Sequence, residues 1–248
     1  MWHSGNPNRF KDSQPLRNVF RGNSSLLARC FLLEPAFPSL VALRAFAVER
    51  LLDQYDPERE TRLAKGTVSK VVQALEEQRI VLRDKEGVRL IDPALLMERL
   101  RASYTLPRGK RVEGKMPFTF AEAWKRLSET TLRYVATGDG SAGHYRVLSS
   151  GEKLSLYVEN VEAASRVLEV KPGRVFPNIE LLEATDNLVY FDARQEENRR
   201  WASPIQTWLE LALSGPRERE AAQSLEAELR NREGETHRLS IPFGNLLT

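Results

Sequence analysis

The chain has little of what staples or metallates a small protein. Its 248 residues include one cysteine, three histidines and three methionines. A single cysteine excludes an intrachain disulfide and any zinc site built on cysteines. Cys30 lies in the apolar run LLARCFLL, which points to a buried structural thiol rather than a reactive one. His3, His144 and His237 lie far apart, so their spacing forms no metal motif, and His144 reads as a structural or capping residue. No Ser/His/Asp arrangement is legible, and nothing calls for a cofactor. Long apolar runs are also missing, which excludes a membrane-spanning helix. The polar start MWHSGNPNRFKDSQ has no signal-peptide apolar region, so a soluble, cytoplasmic protein without a membrane partner is expected. Internal repeats and long low-complexity segments are absent too.

What is present is core material and an uneven distribution of charge. Hydrophobic residues make up 41% and charged residues 29%, enough for one large domain or two ordinary ones. The net charge is +3, but residues 1–110 carry a net of +6 and the remaining residues a net of −3. A polyanion partner is therefore expected on the first half.

Residues 1–23 read as an N-terminal arm, rich in Asn, Gly, Ser, Pro and Arg. SSLLARCFLLEP predicts a first helix with Ser24 or Ser25 as N-cap and Pro35 as stop signal. SLVALRAFAVERLLDQYD predicts a second, with Leu40, Leu43, Ala47 and Leu51 at helical spacing. A third runs from about Gly66 to Arg79, its apolar face made by Val68, Val71, Val72 and Leu75. IVLRDKEGVRLID then predicts a hairpin around DKEG, with Gly87 at the positive-φ position. A further helix follows, with Asp92 as N-cap and Pro93 in its first turn. Residues 106–114 are poor in apolar side chains and read as a linker. Beyond it, FTFAEAWKRLSE, NVEAASRVLEV, SPIQTWLELALSG and REREAAQSLEAELRNR predict helices. RYVAT, KLSLYV, NIELLEA and NLVYFDA predict strands, giving an α/β domain over 115–232 and a tail over 233–248. Trp201 and Trp208, with Ile205 and Leu209, read as core around a helix entered at Ser203-Pro204. The charged final helix reads as a solvated face or, alternatively, a partner surface.

Three helices followed by a two-stranded hairpin is the order of a winged helix-turn-helix, whose third helix presents its first turn to the major groove. That use requires small side chains where the backbone approaches, and cations for phosphates. Gly66 and Thr67 meet the first need, and Lys65 and Lys70 the second; Gln73 has the reach to pair with an adenine edge, and Ser69 joins them near the helix start. Arg83, Lys85 and Arg89 of the hairpin suit the flanking sugar-phosphate backbone. These nine residues are the candidate DNA-binding set over a winged-helix domain at 24–105. The alternative is a core helix with a soluble face, which Glu76 and Glu77 favour.

PLRNVFRGNSSLLARCFLLEP, KGTVSKVVQALEEQRIV and VRLIDPALLMERLRASY resemble the winged-helix segment of the type IV toxin–antitoxin antitoxin family, the AbiE-type transcriptional regulators. ATGDGSAGHYRV, LSLYVENVEAA, NIELLEATDNLVYFDAR and ASPIQTWLELALSGPREREAAQSLEAEL resemble its second half, in the same order. The likeness covers roughly residues 15–230. It implies a DNA-binding regulator of its own operon, a cognate toxin as protein partner, and a second domain linked to antitoxin activity. The passage LLDQYDPERETRLAKG departs from that pattern by its length and charge. A homodimer fits the paired half-sites such regulators read.

The Gly-Ser turn in GDGSAG after a strand raises a nucleotidyltransferase-like scaffold. Catalysis there needs paired carboxylates on the next strand to hold metal ions, and KLSLYVEN offers Glu159 alone. The expectation is a non-enzymatic α+β protein: a DNA-binding regulator first, a toxin-binding interaction module second, an enzyme third.

Overall fold

The computed structural model describes residues 18–52, 63–145, 147 and 153–239, with the backbone alone for residues 52 and 231–239. Among them it is a mixed α+β protein with two sheets.

The first module runs α1 (Ser24–Cys30), β1 (Ala36–Phe37), α2 (Leu40–Leu52), α3 (Lys65–Glu77), β2 (Val81–Arg83), β3 (Val88–Leu90) and α4 (Pro93–Ser103). Val19 and Phe20, expected in a polar arm, are buried in its core; residues 1–17 lie outside the described set. α1 buries Ser25 through Cys30, because α2, α3 and α4 surround it. Its N-cap is Asn23 rather than Ser24 or Ser25, without a side-chain cap, and Ser25 Oγ donates instead to the Gly22 carbonyl at 2.8 Å. In α3 the buried residues are Val68, Val71, Val72 and Leu75, one stripe at helical spacing.

β1 pairs antiparallel with β3, and β3 with β2, giving the order β1-β3-β2. Val81, Val88 and Leu90 turn into the core while Leu82 and Arg89 face out. The hairpin closes through Asp84 N to the Gly87 carbonyl at 3.0 Å and Glu86 N to Asp84 Oδ1 at 2.8 Å. Gly87 has φ +137°, and a Cβ there would lie 2.1 Å from the Phe37 carbonyl oxygen of β1. Both its torsion and the proximity of β1 require glycine. Asp92 Oδ1 caps α4 by accepting from Leu95 N at 2.8 Å, with Pro93 opening the helix.

The second half is built on a sheet of order β7-β4-β8-β6-β5-β10-β9. Its elements are β4 (Arg111–Lys115), α5 (Phe120–Ser128), β5 (Tyr134–Ala136), α6 (Gly138–His144), β6 (Leu154–Val158), α7 (Val161–Val167), β7 (Lys171–Pro172), β8 (Ile179–Glu183), β9 (Arg194–Glu196), β10 (Arg199–Trp201), α8 (Pro204–Leu211) and α9 (Pro216–Leu239). β6 runs parallel to β8 through the α7 crossover, and β10 parallel to β5; the remaining neighbours are antiparallel. All five residues of β6 are buried. Leu154, Leu156 and Val158 pack with α5 and α7, and Tyr157 with Val189, Tyr190 and Ala202 on the other face.

Three expectations are corrected here. Residues 111–114 of the anticipated linker belong to β4, which pairs with β8 through Arg111↔Leu182 to Gly114↔Ile179. NLVYFDA is not a strand: Leu188–Tyr190 is a 3-10 turn, started by Asp186 Oδ1 accepting from Leu188 N at 2.9 Å. GDGSAG is not a turn but the body of α6.

The two halves share one core. The apolar cluster that begins at Val19 and holds α1, α3 and α4 continues through Phe191, Ile205, Trp208 and Leu209 to Ala221, Ala222, Leu225 and Leu229. α8 is buried on all its residues, since it lies between the first module and the sheet. The Ala/Leu stripe of α9 is therefore neither solvated nor free for a partner over residues 221–229: it packs on α8, where Trp208 Nε1 donates to Glu226 Oε2 at 3.3 Å. Asp192 adds an ionic tie, bridging Arg50 of α2 at 2.7 Å and Arg194 of β9 at 2.8 Å.

Candidate nucleic-acid interface

α3 is held from below by its valine–leucine stripe and at its start by Arg44, whose Nε donates to the Leu63 carbonyl at 2.7 Å. Ala64 is the N-cap, and Ala64 has no side chain to accept from the first-turn amides. Thr67 N and Val68 N bond to the Ala64 carbonyl, which leaves the amides of Lys65 and Gly66 without a helical partner. A helix start in this state is suited to an anion.

Lys65, Gly66, Lys70 and Gln73 are exposed, while Thr67 and Ser69 are half-buried. A Cβ built on Gly66 meets nothing within 4 Å, so its backbone faces open space. Lys65 and Lys70 are exposed, and neither forms a side-chain hydrogen bond or ion pair with another described residue.

The remaining residues of the set have partners inside the module. Gln73 Nε2 donates to Glu77 Oε1 at 3.0 Å. Arg83 Nη2 lies 3.7 Å from Glu76 Oε2, and Arg89 Nη1 lies 3.0 Å from Asp84 Oδ2. All four groups of those ion pairs are at least a third exposed, so each pair is weak and exchangeable for phosphate. Lys85 is exposed at the hairpin tip. The nine residues fall into two groups. Because β2 follows α3 directly, Arg83 reaches the end of the helix at Glu76, roughly 17 Å along the axis from Lys65. A ligand touching both groups has to run the length of α3.

The residues raised for catalysis are engaged structurally. Ser141 is buried and accepts from Thr207 Oγ1 at 3.1 Å; its own Oγ donates to the Gly138 carbonyl at 3.2 Å. Glu159 accepts from Arg133 N at 3.1 Å and Nε at 3.0 Å. His144 stacks on Trp201 with ring centroids 3.9 Å apart, and burial holds its imidazole below the usual histidine range. Cys30 is buried, and desolvation pushes its thiol up, away from thiolate chemistry. Among the described residues no cluster of His, Cys, Asp and Glu could hold a metal ion, and no helix is long and apolar enough to cross a membrane.

Sequence reasoning missed a buried polar network around α8. Arg29 Nη1 donates to Gln206 Oε1 at 2.9 Å; Gln206 Nε2 donates to Tyr104 Oη at 2.8 Å and to Glu210 Oε1 at 2.6 Å. Glu210 also accepts from the Thr137 hydroxyl and from Gly138 N at 3.3 Å. Burial pushes the Glu210 carboxyl up and the Arg29 guanidinium down, and the hydrogen bonds to Glu210 act against its shift. The signal was an arginine inside LLARCFLL and a Gln–Glu pair four residues apart inside PIQTWLEL.

No family model matches the chain, and neither does any curated protein or solved structure.

Proposed function

We propose that the chain is a sequence-specific double-stranded DNA-binding transcriptional regulator whose first module works as a winged helix-turn-helix. In this reading α3 enters the major groove by its first turn, and the β2–β3 hairpin lies on the flanking backbone. The supporting topology is the order α1–β1–α2–α3–β2–β3 closed by the β1-β3-β2 sheet. The observation that carries the reading is the open start of α3: exposed Lys65 and Lys70 without partners among the described residues, Gly66 facing open space, and amides without a side-chain cap. Lys65 and Lys70 neutralise phosphates, Gly66, Thr67 and Ser69 let the backbone approach, and Gln73 exchanges Glu77 for a base edge. Arg83, Lys85 and Arg89 supply the wing contacts. The likeness to AbiE-type regulators extends this to an autoregulating antitoxin acting in the cytoplasm. Catalysis has no part in it, since Ser141 and Glu159 are committed to structural bonds.

A second reading, a protein-interaction module that neutralises a toxin with DNA binding secondary, has its own support. Val175 and Phe176, between β7 and β8, are 74% and 84% exposed. Adjacent apolar side chains that far out of a sheet suit a protein partner.

The test is duplex binding followed by fluorescence anisotropy over a range of salt. Wild-type chain binds DNA from upstream of its own gene more tightly than scrambled duplex, with affinity falling steeply as salt rises. Lys65→Glu with Lys70→Glu cuts the affinity about ten-fold or more and reduces the salt slope by roughly 2. Absence of duplex binding at low salt sinks the first reading. Loss of a co-purifying protein on Val175→Ser with Phe176→Ser, with duplex binding intact, supports the second.

A further inference from the structure

Between the first module and α8 lies a cleft of about 210 Å³. Its fully buried polar wall is Arg29 and Gln206, with Tyr104 beside them; Phe20, Leu100, Leu188 and Leu209 give it apolar walls. Arg21 and Arg108, both exposed, stand at its mouth.

Arg29 is the anomaly. It is 1% exposed, yet no carboxylate of the described residues lies within ion-pair distance of it. Its Nη1 donates to Gln206 Oε1 at 2.9 Å and weakly to the Leu188 carbonyl at 3.4 Å, both neutral acceptors. Its Nε–H has no acceptor among the described residues. The acidic groups whose field it feels, Asp186 and Glu210, form no ion pair with it: Asp186 Oδ1 accepts from Leu188 N, and Glu210 holds Thr137, Gly138 and Gln206. A buried cation ordinarily has a counter-ion, and a buried N–H ordinarily has an acceptor. Among the described residues this one has neither, on the wall of a cleft. The Tyr104 hydroxyl, which accepts from Gln206 Nε2 at 2.8 Å, retains its own proton to donate. Among the described residues the only acid lining the cleft is Asp186, against three arginines.

We infer that this cleft binds a small organic anion, its carboxylate seated on the Arg29 guanidinium and its hydrocarbon body against Phe20, Leu100, Leu188 and Leu209. A carboxylate supplies the missing charge and matches the planar geometry a guanidinium offers. Arg21 and Arg108 draw the anion in. The cleft lies below the roughly 300–1,000 Å³ of sites for drug-sized ligands, which keeps the ligand small. The inference is independent of DNA binding, because it is read from the chain alone.

The experiment titrates the full chain with acetate, hexanoate and benzoate by calorimetry and by thermal unfolding. Benzamide serves as the uncharged control and inorganic phosphate as the anion without a body. Hexanoate or benzoate is expected to saturate and to raise the unfolding temperature, with benzamide and phosphate at least about ten-fold weaker. Arg29→Gln lowers the carboxylate affinity about ten-fold or more. Should that variant fail to fold, Arg108→Gln at the exposed mouth lowers it by about two- to five-fold. The inference is overturned if none of the three carboxylates saturates by about 10 mM, if benzamide or phosphate binds as tightly, or if affinity is unchanged in every arginine variant that folds.

Discussion

α3 and α8 carry similar kinds of polar residue and use them in opposite ways. α3 buries a single stripe, Val68, Val71, Val72 and Leu75, and leaves Lys65, Gly66, Lys70 and Gln73 exposed. α8 buries everything from Pro204 to Leu211. On α8 the polar groups are answered from within: Gln206 by Arg29, Tyr104 and Glu210, Thr207 by Ser141, and Glu210 by Thr137 and Gly138. On α3 the two lysines are answered by no described residue. A polar group that its own protein has satisfied serves architecture; one left unanswered is available to a ligand. The difference separates a helix that ties two halves together from one that the fold presents outward.

The sharpest way to break the presenting side is at the hairpin. Gly87→Ala forces an L side chain into φ +137° and drives its Cβ to 2.1 Å from the Phe37 carbonyl oxygen, so β1 and β3 cannot keep their pairing. The loss is expected to be about 2–4 kcal/mol, from strain and the displaced strand. The urea midpoint measured by far-UV circular dichroism reports it. An unchanged midpoint means that β1 does not lie against the hairpin.

The tying side is tested at Asp192, which bridges Arg50 and Arg194 and is itself buried. Asp192 has φ +52°, a conformation that asparagine also tolerates, so Asp192→Asn removes the charge without adding backbone strain. Both arginines are a third or more exposed, and the expected loss is correspondingly modest, about 1–2 kcal/mol. The more informative readout is cooperativity. Trp124 and Trp201 report the sheet's core and Trp208 the core shared by both halves, whereas circular dichroism reports the helices of both. Because α8 and α9 extend the first module's core, the two signals should unfold together in wild type and variant alike. Two separated transitions would show that the shared core does not couple the halves.

Much of this contrast was legible in the sequence, and its legibility follows the range of the interactions. The stripe of α3, the Gly87 turn and the Asp92–Pro93 helix start are local patterns, and the structure has them where the residues indicate. What failed depended on distant partners. β4 was hidden because a Gly- and Lys-rich stretch gives no strand signal until β8 lies beside it. NLVYFDA is the local exception: it carried a strand-like apolar run, but the neighbouring Asp186 side chain starts a 3-10 turn there. The α9 stripe gave no sign of its partner α8. At the candidate interface the residue types were legible, but the pairings of Arg83 with Glu76 and Arg89 with Asp84 came only with the register of the hairpin. The Arg29 network was least accessible, since it joins residues 177 positions apart.

The smallest change gives the finest separation of fold from function. Gly66 lies in the first turn of α3, helical and exposed, with nothing within 4 Å of where a Cβ would stand. For folding alone, alanine is the better residue there, because glycine gives up more backbone freedom on entering a helix. Gly66→Ala should therefore raise stability by about 0.5 kcal/mol, below the full helix-interior value because the first turn frays. If duplex DNA approaches α3 at this turn, the added methyl stands between backbone and phosphate. It should then weaken binding by about 1 kcal/mol, roughly five-fold. Denaturation and anisotropy on the same preparation resolve the two effects, which have opposite signs. A variant that is more stable and binds as well as wild type would mean that the first turn of α3 does not meet the nucleic acid, and that the exposed lysines beside it are only a solvated face.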